Sequence, residues 1–251
     1  MTRPAAGFSL IEVLIAMALM VTFSGALMSL LLAGQSMARM QPEAADAQQR
    51  ARIALQMLGA ELALAGAGLD RGPRAGPLAR HFGPLAVSAD EGLTLWYVST
   101  RLAQTSLAGP LAPGATAAVI DDSTAFAAAS TAIVFAEGGC HDVLRVDAVA
   151  PAILQVRAGS RMCAYAAGAS VAQGEVRTYR VDPASRQLLR RDEATGISVP
   201  VLDNIAGMDI EYLEAAGRVR VTLRVGTGTR NPLVPDLIVV HEILLPNLQV
   251  R

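Results

Sequence analysis

Between Phe8 and Ala33 the chain carries one long apolar run, and the only charged residue inside it is Glu12. No other feature constrains the fold as strongly. A bilayer core is crossed by roughly 20 apolar residues in helical form, and this run supplies them without a proline. A secretory signal peptide has a shorter apolar core followed by a small-residue cleavage site. Here the candidate cleavage position precedes the run. Arg3 lies before the span and Arg39 after it. The excess of basic residues on the cytoplasmic side of membrane spans places the leader inside and the bulk of the chain outside.

Glu12 is the most informative residue of the run. A carboxylate at the centre of a membrane span costs about 2.5–3.5 kcal/mol, less near the edge, and intramembrane acids are as a rule functional. No basic side chain follows Glu12 within two helical turns. The nearest available cation is the α-amino group that a cut between Gly7 and Phe8 would create, about one helical turn before Glu12. In an assembly, the amine of a neighbouring subunit would serve equally.

The string Gly7-Phe8-Ser9-Leu10-Ile11-Glu12 resembles the type IV prepilin processing motif. The resemblance implies that a prepilin peptidase cuts after Gly7 and methylates Phe8. It also implies that Glu12 is needed for assembly with other pilin or pseudopilin subunits into a filament. One departure is that many major pilins have a proline within the apolar segment. Here Gly25 is the helix-weakening residue inside it.

Composition agrees with a membrane-associated chain. Of the 251 residues, 52% are hydrophobic and 17% charged, against an average charged fraction of about 25%. A net charge of −1 and an aromatic content of 4% argue against a nucleic-acid surface, which needs a basic face and stacking rings. The length suits one globular domain plus an appended segment, or two small domains.

Four segments follow from the pattern. Residues 1–7 form a leader, 8–34 a transmembrane or filament-core helix, 35–68 an amphipathic continuation and 69–251 a periplasmic globular domain. In the third, Ala51, Leu55, Leu58, Leu62 and Ala65 recur at helical spacing, and Ile53 and Met57 widen the stripe. Pro42 marks a kink or a fresh helix start, and Gly66 and Gly68 supply the stop. Residues Leu69–Pro84 read as a long loop. Strand-like runs follow at Leu93–Val98, Ala132–Phe135, Val143–Val146, Ile153–Val156, Val176–Val181, Leu188–Arg190, Met208–Leu213, Val219–Val225 and Leu237–Leu245. Several alternate: Val219, Val221, Leu223 and Val225 oppose Arg218, Arg220, Thr222 and Arg224, and Val176, Thr178 and Arg180 oppose Arg177, Tyr179 and Val181. Such alternation predicts antiparallel sheet with one buried and one wet face, with a turn at Asp182-Pro183-Ala184-Ser185. The expected fold class is α+β, a long N-terminal helix on an antiparallel β-sheet. The stretch Gln49–Gly66 and the order Tyr179 to Val225 are similar to PilW-like minor pilins and J-type pseudopilins.

Chemistry-bearing residues are sparse. Cys140 and Cys163 would lie on the exported side, where an oxidising compartment permits a disulfide. It would close a loop of about 24 residues and contribute about 3 kcal/mol. The alternative is two free thiols. His81, His141 and His241 are scattered, and Cys140-His141 lacks the spacing of a tetrahedral metal site. No nucleophile elbow or Ser/Lys pair is present. Asp121-Asp122, Asp90-Glu91, Asp142 and Arg190-Arg191-Asp192-Glu193 read as turn or exposed charges, and Gly226-Thr227-Gly228-Thr229 as a loop. No catalytic set, metal site or cofactor is expected.

The expectation is a structural subunit of the bacterial inner membrane, its N-terminus cytoplasmic and its main domain periplasmic. After processing it would assemble into a type IV pilus as a minor pilin, or into the type II secretion pseudopilus as a J-type component. The rival reading is a membrane-anchored periplasmic binding or enzymatic domain. A further one is an adhesin whose ligand is met by the loops around Leu102–Ala129.

Overall fold

A computed structural model describes residues 9–70, 75–88, 92–98, 103–136, 139–157, 163–226 and 235–249. The chain divides into two compact units, Met1–Asp46 and Ala47–Arg251. Arg3, Gly7, Phe8, Asp90-Glu91, Leu102 and Thr227–Thr229 lie outside the described residues.

Helix α1 runs Leu10–Leu64. Pro42 lies within it, so no fresh helix starts there. The part of α1 in the first unit shows its apolar side chains to the outside on every face, from Leu10 (81% exposed) through Phe23 (69%) to Leu32 (55%). The part in the second unit is amphipathic. Ala47, Ala51, Ala54, Leu58, Leu62 and Ala65 are buried, with Leu55 and Met57 half-buried beside them. Ile53 faces outward instead. Ala47-Ala51-Ala54-Leu58 fills the inner face at alternating steps of three and four, and Ile53 lies off that line.

Thirteen antiparallel strands follow among the described residues: β1 (Leu85–Ser88), β2 (Gly92–Val98), β3 (Gln104–Ser106), β4 (Ala117–Val119), β5 (Ser130–Phe135), β6 (His141–Ala150), β7 (Ile153–Arg157), β8 (Ser170–Asp182), β9 (Gln187–Asp192), β10 (Ser198–Asp203), β11 (Ile205–Leu213), β12 (Arg218–Val225) and β13 (Leu237–Leu244). Ten of them form one sheet, ordered β1-β2-β8-β5-β6-β7-β4, with β3 and β9 also on β8 and β10 on β9; the other three form a sheet ordered β11-β12-β13. The α+β expectation holds. Each strand run expected from alternation is found, and β1, β3, β4 and β10 are additional.

The helical stripe of the second unit packs on both sheets. It meets Leu93, Leu95, Tyr179 and Leu188 of the large sheet and Val219, Val221, Leu223 and Val225 of the small one. Strand β12 shows the expected alternation: its valines and Leu223 are fully buried and Arg218, Arg220 and Arg224 point away. Strand β8 departs from it. Tyr179 faces the helix while Val176 and Thr178, on the opposite face, are also buried. The cover over that second face comes partly from the segment expected to be a plain loop. Leu69 and Gly76 exchange backbone hydrogen bonds (3.1 and 2.9 Å), Leu78–Arg80 forms a short 3-10 turn, and Leu69, Leu78 and Phe82 pack on Val98, Ile133, Phe135 and Val176. Gly68 permits this fold-over, because a Cβ there would collide with the Gly76 carbonyl.

A third buried cluster lies at the β4–β7 end of the large sheet. Ala103, Leu107, Leu111, Ala118, Ile120 and Phe126 are buried there against β5, β6 and β7. The described part of the Leu102–Ala129 stretch thus contributes side chains to the core, while residues between them, such as 112–114 and 127–129, are exposed.

Candidate functional site

The segment Leu10–Gln35 has the length and composition of a membrane span: 26 residues, a mean hydropathy of 2.2 and none of it buried. At 1.5 Å per residue it extends about 39 Å, enough for a hydrocarbon core of about 30 Å. Two of its three internal hydroxyls return to their own backbone. Thr22 donates to the Leu19 carbonyl and Ser29 to the Ala26 carbonyl, each at 2.8 Å, so neither is left unsatisfied in an apolar medium.

Glu12 occupies the first turn of α1 and is exposed. The Ser9 backbone N–H donates to Glu12 Oε2 at 3.3 Å, while the Glu12 and Val13 amides donate to the Ser9 carbonyl at 3.0 and 3.3 Å. This is one half of a capping box. The Ser-x-x-Glu spacing Ser9–Glu12 announces it, and the carboxylate also meets the positive end of the helix dipole. That signal is absent from a reading that treats Glu12 only as an acid in search of a cation. The cap supplies a hydrogen bond but no positive charge, and among the described residues no basic side chain pairs with Glu12. Gly7 and Phe8, expected to flank the cut next to Glu12, lie outside the described residues.

A second acid of α1 is treated differently. Glu61 falls in the apolar stripe, between Leu58 and Ala65. The Arg177 guanidinium of β8 donates to Glu61 Oε1 and to Glu175 Oε2, the Tyr97 hydroxyl donates to Glu175 Oε2 at 2.8 Å, and Arg177 stands 5.7 Å from the Tyr97 ring centre. Burial, then the bond to Glu175, pushes the Tyr97 hydroxyl far above its usual value. Burial and the nearby Glu61 push Tyr179 up to about 12. The group locks helix to sheet and offers no nucleophile at neutral pH. An acid within a buried stripe is the sequence signal that could have found it.

The cysteines are joined: Cys140 and Cys163 form a disulfide with a Cα–Cα distance of 6.5 Å, within the range such bridges adopt. Asp142 is not a free surface charge. Its Oδ2 accepts from the Tyr165 hydroxyl at 3.0 Å and from the Cys163 amide, which ties the end of the disulfide loop to β6.

Two of the histidines are not scattered. His141 stacks on Phe82 with centroids 4.1 Å apart, and His81 lies 5.1 Å from Phe135, all within one aromatic cluster. His241 is exposed on β13. Asp122 accepts the Thr124 amide and hydroxyl at 2.8 and 2.7 Å, which occupies one oxygen locally. Glu193 is drawn in by Arg145, Arg191 and Thr178 rather than standing free. No group of three or more metal-ligating side chains occurs among the described residues.

Residues 2–28 match the family model described as the prokaryotic N-terminal methylation motif. The match covers the leader, Gly7, Phe8, the capped Glu12 and most of the span. No curated protein and no solved structure matches the chain.

Proposed function

From a chain whose N-terminus is that of the type IV prepilin-like family, we propose a minor pilin. It is cut by prepilin peptidase between Gly7 and Phe8, methylated on Phe8, and assembled with other pilin subunits into a type IV pilus. The observation that carries this reading is the Leu10–Gln35 segment: predominantly apolar, uncovered on all faces, and with Glu12 in its first turn inside the matched motif. Before assembly the bilayer covers that surface, with the leader cytoplasmic and the sheet unit periplasmic. In the filament the helices of other subunits cover it. The role is structural rather than enzymatic.

Glu12 sets register. Its Oε2 is engaged by the Ser9 amide, which leaves its second oxygen for the amine of a neighbouring Phe8. In an apolar bundle such a contact acts mainly as a specificity device. Co-expression with and without a prepilin peptidase, followed by intact mass measurement, tests the processing. The expected product begins at Phe8 and carries one added methyl group. A chain of unchanged mass in both cases rejects it. Glu12→Ala is expected to be processed normally yet to fall about tenfold in sheared filaments, an energy of roughly 1.4 kcal/mol. Normal incorporation of that variant rejects the register role.

A further inference from the structure

The face of the large sheet turned away from α1 carries a cavity of about 560 Å³, a size typical of small-molecule sites. Its floor is one cross-strand row. Ala86 pairs with Thr94, Thr94 with Thr178, and Thr178 with Arg191. The hydroxyls of Thr94 and Thr178 lie 3.0 Å apart, and Thr178 donates to Glu193 Oε1 at 3.2 Å. Trp96, Val143 and Val176 form an apolar wall beside this row.

The charge around the cavity is unbalanced. Among the described residues Glu193 is the only acid lining it, and it is shared by two arginines: Arg191 Nε at 3.2 Å and Arg145 Nη2 at 3.8 Å. Arg180, a third lining arginine, is exposed and forms no salt bridge among the described residues, although Asp182 outside the lining feels its charge. Within this lining one carboxylate faces three guanidinium groups, so the rim of a partly apolar recess carries an excess of positive charge even with Asp182 near Arg180. Charge of that kind next to such a wall suits neither a neutral sugar nor a bare inorganic ion. It suits an oxyanion borne on a compact organic body, because a guanidinium fork binds carboxylate and phosphate with two parallel charge-assisted hydrogen bonds.

We propose that this cavity is a binding site for a monosaccharide-sized organic anion, whose carboxylate or phosphate is held by Arg180 with Arg145 and Arg191 and whose body rests on Trp96 and Val176. Nothing in the filament role requires such a site. It stands on the sheet unit alone, so a failure of the processing or register experiments leaves it untouched.

Trp96 is the single tryptophan of the chain, so intrinsic fluorescence reports on the cavity directly. The full chain in a neutral, sugar-free detergent is titrated with galacturonate, galactose 6-phosphate, galactose and inorganic phosphate. Both sugar anions are expected to change the Trp96 emission saturably in the millimolar range or below, the tighter of the two identifying the oxyanion preferred. Galactose and inorganic phosphate are expected to bind at least about tenfold more weakly. Arg180→Gln, at an exposed position where folding is not at stake, is expected to weaken the anions about tenfold. Raised salt should weaken them too. Equal binding of galactose, equal binding of inorganic phosphate, no binding of either sugar anion, or unchanged affinity in the Arg180 variant would each overturn the proposal.

Discussion

The two ends of helix α1 make opposite uses of the same backbone. From Leu10 to Gln35 its apolar side chains are exposed, and its single acid takes only a local cap from Ser9. From Ala47 to Leu64 only one stripe is apolar, that stripe is buried beneath two sheets, and its acid, Glu61, is bound by Arg177. A helix that is hydrophobic all round needs a medium to surround it, whereas a striped helix needs only its own fold. The first part therefore depends on a bilayer or on other chains. The second is satisfied within the sheet unit.

Matched truncations probe this contrast most strongly. Leu58→Ala, at a fully buried position, is expected to lower the unfolding free energy of the sheet unit by about 2–5 kcal/mol. Leu19→Ala, at a site 55% exposed, should stay within about 0.5 kcal/mol. Urea unfolding of the full chain in neutral micelles, followed by Trp96 fluorescence, measures both. Similar losses at the two sites would break the contrast.

The acids sharpen it at a smaller scale. Glu61→Gln leaves the Arg177 guanidinium with Glu175 alone, and a loss of about 1–3 kcal/mol is expected, below that of a fully buried pair because both groups retain some solvent. Glu12→Gln should leave the same unfolding curve unmoved. A silent Glu61 variant would show that the stripe tolerates its acid without the ion pair.

The smallest effect is a pH dependence confined to the sheet unit. Burial holds His141 below its ordinary value of 6.5, offset in part by the Gly139 backbone and by Asp142. The folded chain then binds fewer protons than the unfolded chain between that lowered value and 6.5. Stability is full above this window and declines as the pH falls through it. Thermal midpoints should drop on the order of 1–3 °C from about pH 7.5 to about pH 5.5, and His141→Gln should reduce the drop. An identical drop in that variant would place the titration elsewhere.

What sequence can and cannot disclose follows the range of the interactions involved. The span, the striped helix and the long alternating strands were legible because their periods are local. Strand β10 was not, because it includes Pro200, which an edge strand tolerates at a register shift. Neither were β3 and β4, three residues each and built of Gln-Thr-Ser and Ala-Ala-Val, where neighbours rather than propensity decide. The Ser9–Glu12 cap was local and available as a spacing signal. The Glu61–Arg177 pair and the stacking of His141 on Phe82 join residues far apart in the chain. Only the fold brings them together, although a charge in an apolar stripe could have pointed to the first.

The hydroxyls of Thr22 and Ser29, each turned back onto its own carbonyl, have a consequence for how copies recognise one another. Apart from Ser24, the greasy rod beyond its tip presents hydrocarbon, and sliding one rod along another by a turn exchanges one oily contact for a nearly equivalent one. Under the proposed register role, information about alignment is thus concentrated near the extreme tip of the rod. One carboxylate would then carry most of what, in a rod with many outward-facing hydroxyls, many weak polar contacts would share.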